Sequence, residues 1–375
     1  MSPPASLGVY VHWPYCARIC PYCDFNVVRD RGRTEEHAAL GDAILADLTA
    51  QAALIGPRRL VSIFLGGGTP SLMPPALAER IVEAATRLWS AADHLEVTLE
   101  ANPTDAEADR FRAFAAAGVN RLSLGLQSLD DSALAFLGRN HSAAEGLRAA
   151  ETARAAFPRL SLDLIYARPD QTPRAWAAEL AAAVALGPEH LSPYQLTIEA
   201  GTAFDRAVRR GALTPADPDL AADLYETTQE VLTGHGFEAY EVSNHARGKA
   251  ARSRHNLVYW RGEDYVGVGP GAHGRLTLDG ARTATTAARK VGDYIEGVGF
   301  ERETLTPREA AEERLLLGLR IDDGVMFEEV AALGLTPERV RDLVEAGLLA
   351  DDPTRLRATR AGRLVLDRLT AQLAT

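Results

Sequence analysis

Cysteine is nearly missing from this chain. Three in 375 residues is too few, and odd in number, for a disulfide scaffold. Positive charge is in deficit too: 40 Lys and Arg face 51 Asp and Glu, a formal net charge of −11. A global basic field for nucleic acid or an anionic membrane is therefore absent. No apolar run looks long enough to suggest a membrane span, which needs roughly 18 residues, although peripheral membrane contact stays open. The start, Met-Ser-Pro-Pro-Ala-Ser, lacks a charged n-region and an apolar h-region, so no signal peptide is expected and a cytoplasmic protein is. No Cys-x-x-Cys-His occurs, which excludes c-type heme attachment, and no solenoid-period repeat is visible.

What is present is rhythm. Short apolar runs at 7–12, 60–65, 94–100, 121–126, 160–165 and 191–196 read as strands. Ala-rich stretches between them, including 35–54, 75–88, 105–116 and 173–185, read as helices. Thr104 and Thr172-Pro173 suit helix starts, and Gly118 and Gly187 suit helix ends. Six strand–helix repeats predict a parallel α/β sheet, either doubly wound or an open (β/α)₆ partial barrel. Residues 1–240 form this unit. Residues 241–304, rich in Gly, Arg and His, read as short strands and loops. Residues 305–375 read as a small, mainly helical, winged-helix-like domain with a wing at 351–359; its acidic residues favour a structural or lid role over DNA binding.

All three cysteines fall in one stretch, Tyr10-Val-His-Trp-Pro-Tyr-Cys-Ala-Arg-Ile-Cys-Pro-Tyr-Cys23. Random placement would cluster them so about once in a thousand chains. Pro14 and Pro21 forbid a regular helix, so this is a loop leaving the first strand, able to wrap Cys16, Cys20 and Cys23 round a metal centre. Zinc with His12 as fourth ligand is one reading. A cubane held by three thiolates, with one iron open, is the other. Gly66-Gly67-Gly68-Thr69-Pro70 follows the second strand and lets backbone approach a ligand closely; it lacks a P-loop lysine. Glu100, Gln127, Asp163, Tyr194 and Gln195 fall at or near the C-terminal ends of successive strands. In a barrel such residues point into one mouth, and this favours the open barrel. The run Gly267–Gly274 has a proline and no following helix, which tells against a dinucleotide fingerprint; a glycine-lined wall of the same mouth is expected.

The Cys-x₃-Cys-x₂-Cys loop resembles the signature of the radical S-adenosylmethionine (SAM) superfamily. That resemblance implies a [4Fe–4S] cluster whose open iron chelates SAM, and whose electron cleaves it to a 5′-deoxyadenosyl radical. The likeness spans essentially the whole chain. Gly-Gly-Gly-Thr-Pro-Ser, Glu-Ala-Asn-Pro, Gly-Leu-Gln-Ser, Leu-Gly-Arg-Asn-His and Asp-Leu-Ile-Tyr are similar to the oxygen-independent coproporphyrinogen III oxidase group. By that likeness Tyr10, Tyr22, Gly67, Gly68, Thr69, Glu100, Gln127, Arg139 and Asp163 contact SAM. One departure is Ala167-Arg168-Pro169, where the group more often has Gly-Leu-Pro.

Within the group, decarboxylating oxidases carry a further cysteine two residues after the third, and here Phe25 stands in that place. The heme-chaperone (HemW-type) branch carries His-Asn-x-x-Tyr-Trp, and His255-Asn-Leu-Val-Tyr-Trp260 matches it. The resemblance therefore implies a heme chaperone that passes heme to an acceptor hemoprotein and needs an electron donor for its cluster. The alternatives are a coproporphyrinogen III dehydrogenase and a zinc-binding structural protein. An imidazole can ligate heme iron, so His255 is the expected ligand. Tyr259 and Trp260 offer flat apolar surface, and Arg247, Lys249, Arg252 and Arg254 are the expected propionate partners.

Overall fold

The computed structural model describes residues 5–105, 108–297 and 299–374. Six parallel strands run in chain order across one sheet: β1 Ser6–Trp13, β2 Arg59–Gly67, β3 Ser90–Ala101, β4 Arg121–Gln127, β5 Arg159–Tyr166 and β6 His190–Gln195. Helices α1 Thr34–Ile55, α2 Pro75–Leu88, α3 Ala108–Ala116, α4 Ala143–Ala156, α5 Pro173–Ala185 and α6 Pro218–Gly234 follow the strands. Of the helix expected at 105–116, Ala106 and Glu107 lie outside the described residues. Thr172 caps α5 as its sequence predicts, accepting from the Ala175 N–H.

The strands alternate, with irregularities at Leu60/Ser62 and Gly125/Gln127. Leu7, Val9, Val11, Leu122, Leu124, Leu160 and Leu162 join the principal core. The other face carries Gly8, Tyr10, Ser62, Glu96, Thr98, Arg121, Ser123, Ser161, Asp163 and His190. A doubly wound sheet buries apolar side chains on both faces. Here one face is polar, because it is the inside of an open barrel.

The sheet does not close. Beyond β6 it continues only into the two-residue strands His245–Ala246 and Glu238–Ala239. At the other edge β7 Asp264–Val268 pairs parallel with β1, and β8 His273–Leu278, β9 Ala281–Ala287 and β10 Phe300–Thr304 extend it antiparallel. This region was expected to be short strands and loops. It also holds a helix, α7 Arg254–Trp260, which lies against the inner face of β1 and β2. Ser253 caps it by accepting from the Asn256 N–H, and Glu96 of β3 accepts from the N–H groups of Arg254 and His255. The helix is seven residues long and depends on a carboxylate more than 150 positions away, which is why local pattern missed it.

The C-terminal unit has its own core, built on α8 Pro307–Gly318, α9 Pro337–Glu345, α10 Arg360–Leu364 and α11 Leu366–Ala374. The expected wing is there, as Val325–Met326 paired with Arg355–Leu356.

Two expectations need correction. α1 is 22 residues long, with an 18-residue stretch of mean hydropathy 1.4, apolar and long enough by composition to cross a membrane. In this fold its Leu40, Ile44 and Leu48 are in the sheet's core, and its Asp47 accepts from Tyr294 at 2.8 Å. The departure at Ala167 also has a physical reading. Its φ is 58°, the left-handed region where glycine is at ease and alanine costs about 1 kcal/mol. Next to it Arg168 is buried against Glu179 at 2.6 Å, which anchors the loop by another route.

Candidate active site: a cysteine-lined chamber

A cavity of 470 Å³ opens at the C-terminal ends of the strands. Cys16, Cys20 and Cys23 line one side, on the loop after β1. Tyr22, Gly67, Gly68, Thr69, Glu100, Gln127, Arg139 and Asp163 line the rest. Eight of the nine residues expected to contact SAM are thus brought together with all three cysteines. The ninth, Tyr10, is not among the residues lining the chamber. Its ring stacks on Phe64 and its hydroxyl donates to His12 Nδ1 at 2.9 Å.

Arg139 ties the site together. Its guanidinium donates to Cys20 Sγ at 3.5 Å, to the Gly125 carbonyl at 3.0 Å and to the Asn102 side chain. Its Nε is buried with no partner among the described residues. Asn102 in turn donates to Thr69 Oγ1 at 3.0 Å. Gly68 packs so tightly on the cysteine loop that a Cβ there would meet the Pro14 and Tyr15 carbonyls at 2.7–2.8 Å. Only glycine fits.

Two carboxyls, Glu100 and Asp163, line the same chamber. Burial, then the nearby Asp163, pushes the Glu100 carboxyl up to about 8. Asp163 accepts from Ser123 Oγ at 2.9 and 3.1 Å, and burial raises it as well. Glu100 Oε2 accepts from the Gly67 N–H at 3.2 Å. Gln127, expected from strand position and from the family likeness, holds φ at 64°, a strained value for a non-glycine residue and typical of a functional position.

Glu100 makes a testable pH dependence. Its folded pKa lies above its ordinary 4.5, so the folded protein holds a proton that the unfolded chain releases. Stability from this group is therefore full below the ordinary value and falls as pH rises through about 8. Glu100→Gln keeps an acceptor for Gly67. Its melting temperature should gain on the wild type steadily between about pH 5 and about pH 9. A gap that does not change with pH would show that Glu100 titrates normally.

The thiols fit a cluster better than a single ion. Among the described residues no three His, Cys, Asp or Glu side chains converge as one ion would require. A cubane's irons sit at separate corners, so its ligands stand further apart. His12, the fourth ligand of the zinc reading, is engaged at both ring nitrogens: Nδ1 with Tyr10 and Nε2 with the Asn26 carbonyl at 2.8 Å. Burial pushes the Cys16 thiol up to about 11, so metal charge must hold it as thiolate.

The radical SAM superfamily matches residues 10–181, and the HemN C-terminal domain matches residues 305–365. Heme chaperone HemW of Escherichia coli (strain K12) is 38% identical over 98% of this chain and 97% of its own length. This chain belongs to the HemW family of radical SAM proteins. Radical S-adenosyl methionine domain-containing protein 1, mitochondrial, of Bos taurus is 42% identical, over 98% of this chain and 87% of that one. In fold, the chain superposes on coproporphyrinogen III oxidase (HemN) of E. coli with a TM-score of 0.80, at 22% identity, covering 100% of this chain and 91% of that one. Membership of the radical SAM superfamily implies a [4Fe–4S] cluster and SAM.

The residues assigned to heme are placed differently from the sequence expectation. His255 is 1% exposed on α7. Its Nδ1 bonds Ser62 Oγ at 2.9 Å and its Nε2 bonds the Tyr259 hydroxyl at 2.6 Å. Iron ligation by His255 requires one of these bonds to open, since the other can stay and hold the ring. Tyr259 and Trp260 emerge from the far end of α7 into a second, outer cavity. The basic cluster is elsewhere. Arg252 is buried in ion pairs with Asp322 at 2.7 Å and Glu238 at 3.5 Å, and Arg247 stacks on Phe237. Lys249, Arg252 and Arg254 line a separate cavity with Arg261. The Gly267–Gly274 run is a tight turn against β1, where Gly269 packs on the His12 backbone. It borders the outer cavity through Gly271 and His273, and none of its residues lines the chamber.

Sequence reading missed several site residues, among them Asn102, Arg121, Ser123, Ser192 and Asn256. Arg121 and Ser123 enter the chamber because β4 alternates inward, and that period was visible. Asn256 reaches the chamber only because α7 docks inside the barrel.

Proposed function

We propose that this protein is a heme chaperone that takes up heme and delivers it to an acceptor hemoprotein, in a cytoplasmic setting, with an external donor reducing its cluster. The chemistry a bound cluster supplies is one-electron reduction of SAM. The chain's own residues have simpler tasks in this reading. Cys16, Cys20 and Cys23 hold the cluster, Arg139 fixes Cys20 and Asn102, and Gly67 and Gly68 bring backbone to SAM. Glu100 and Asp163 present carboxyls to its polar groups.

One observation carries the choice of chaperone over oxidase: Phe25, 61% exposed at the chamber rim, stands where the oxidases carry a fourth thiol. An aromatic side chain there has no proton to transfer and no metal to hold.

The test is one anaerobic preparation assayed two ways. With coproporphyrinogen III, SAM and reductant it should form no protoporphyrinogen IX. Titrated with heme, it should give a saturable Soret change. Catalytic turnover in the first assay would make it an oxidase; no saturable binding in the second would end the chaperone reading.

A further inference from the structure

A separate hollow of 560 Å³ borders the chain that leaves the cysteines. Its charge is out of keeping with the rest of the molecule. Five basic side chains line it, Arg29, Arg31, Arg33, Arg289 and Lys290, against two acids, Asp30 and Glu36, in a chain of net charge −11. Both acids are already engaged. Asp30 lies 3.3 Å from His37 Nε2, and Glu36 accepts from Tyr15 at 2.8 Å and from Arg33 at 3.1 Å. Arg29, Arg31 and Arg289 are exposed and make no ion pair among the described residues.

Backbone joins this hollow to the cysteine loop. Val28–Arg29 pairs in parallel with Tyr15–Cys16, and Arg29 stands opposite Cys16. The Asp30 N–H donates to the Cys16 carbonyl at 2.8 Å. The Asn26 side chain donates to the Arg289 carbonyl at 2.8 Å, which fixes the far wall to the same loop. The stretch also carries apolar side chains in the open: Ile19, Phe25 and Val28 are three of the eight exposed large hydrophobics among the described residues. Arg289 borders both the hollow and the outer cavity that Phe25 lines, so the apolar and basic groups form one continuous face. An apolar centre within a charged rim is the anatomy of a protein–protein contact. The hollow is concave, and a flat bilayer would meet only its rim.

We propose that this face is the docking site of the electron donor, a small acidic protein carrying a low-potential one-electron flavin or iron–sulfur centre. The inference rests on the reading that the cysteines hold a cluster reduced from outside, and it names the partner's chemistry. Carboxylates of the carrier meet Arg29, Arg31, Arg289 and Lys290, which steer it from solution. Ile19, Phe25 and Val28 exclude water where the two surfaces touch. One electron leaves the carrier's reduced centre and enters the [4Fe–4S] cluster; the carrier is oxidised, the cluster is reduced, and no atom changes hands. Electron transfer falls steeply with distance, and the hydrogen bond from Asp30 to Cys16 gives a bonded route to a cluster ligand. Contacts of this kind are small and transient, so charge governs how fast they form.

The experiment mixes the full chain, anaerobically reconstituted, with reduced flavodoxin and follows cluster bleaching by stopped flow. Binding of oxidised flavodoxin is measured separately by calorimetry. Wild-type reduction should slow steeply between about 0.01 M and about 1 M salt, as the Debye length shrinks from about 30 Å to about 3 Å. The double variant Arg29→Glu, Arg31→Glu should lower both the low-salt rate and the affinity about tenfold or more, with the gap closing at high salt. Arg339→Glu with Arg341→Glu, exposed on α9 and outside the hollow, changes the net charge equally and should stay near wild type in both. Dithionite, which needs no docking site, should reduce all three proteins alike. A wild-type rate indifferent to salt, or equal losses in the two double variants, would overturn the assignment. So would normal reduction of the Arg29, Arg31 variant by flavodoxin together with lost binding to phosphatidylglycerol vesicles, which would make the face a membrane contact. Wild-type protein with no cluster for dithionite to reduce would remove the cluster reading itself, and the donor site with it.

Discussion

Cys20→Ala is expected to lose the [4Fe–4S] cluster almost entirely. The chain has three cysteines, all lining one chamber, so removal leaves two ligands. No substitute is near: His12 is committed at both nitrogens, Glu100 is pushed up to about 8, and burial raises Asp163 as well. Arg139 would also lose its sulfur acceptor, leaving a buried cation with fewer partners. The expected readout is loss of the brown chromophore and of acid-labile sulfide after anaerobic reconstitution. Far-ultraviolet circular dichroism should hold, because the principal core does not include the cysteines. Full iron and sulfide content in this variant would show that the ligand set is wrong.

Glu96→Ala should destabilise the fold by about 3–5 kcal/mol, the usual cost of stripping one partner from a buried charge pair. Glu96 is 1% exposed inside the barrel. It pairs with Arg159 at 2.6 Å and accepts from the first two N–H groups of α7. Burial pushes its carboxyl up, yet Arg121 and Arg159 outweigh that and hold it below the ordinary value. Alanine leaves the arginines facing each other and the start of α7 unsatisfied. Denaturant unfolding should show the loss, and amide exchange across 254–260 should speed up more than in β1. A stability within about 1 kcal/mol of wild type would mean that α7 is held by packing alone. The result matters for function, since α7 carries Tyr259 and Trp260 into the outer groove.

The barrel and the cysteine chamber were legible because their signals are local. Strand alternation, glycine after β2 and polar residues at strand ends each act within a few positions, and the repeat places them at one mouth. Phe25 in place of a fourth cysteine was legible once the loop was set beside the oxidase pattern it resembles. The heme segment was different. His255-Asn-Leu-Val-Tyr-Trp260 reads as a histidine beside two aromatics, and nothing in it tells which groups face inward. Ser62 and Glu96, far away in sequence, decide that: they bury His255 and hold α7 inside the barrel. Likewise Arg252, in the basic run from Arg247 to Arg254, looks free until Asp322 and Glu238 are brought to it.

The sequence by itself determined the open barrel, the three-thiolate loop and the family, because periodicity and close spacing survive without knowledge of long-range contacts. Only the tertiary structure decided that His255 is buried with a hydrogen bond at each ring nitrogen. Whether a ring nitrogen is open depends on hydrogen-bond partners that folding brings together from distant strands, and that information is not carried by the residues beside it.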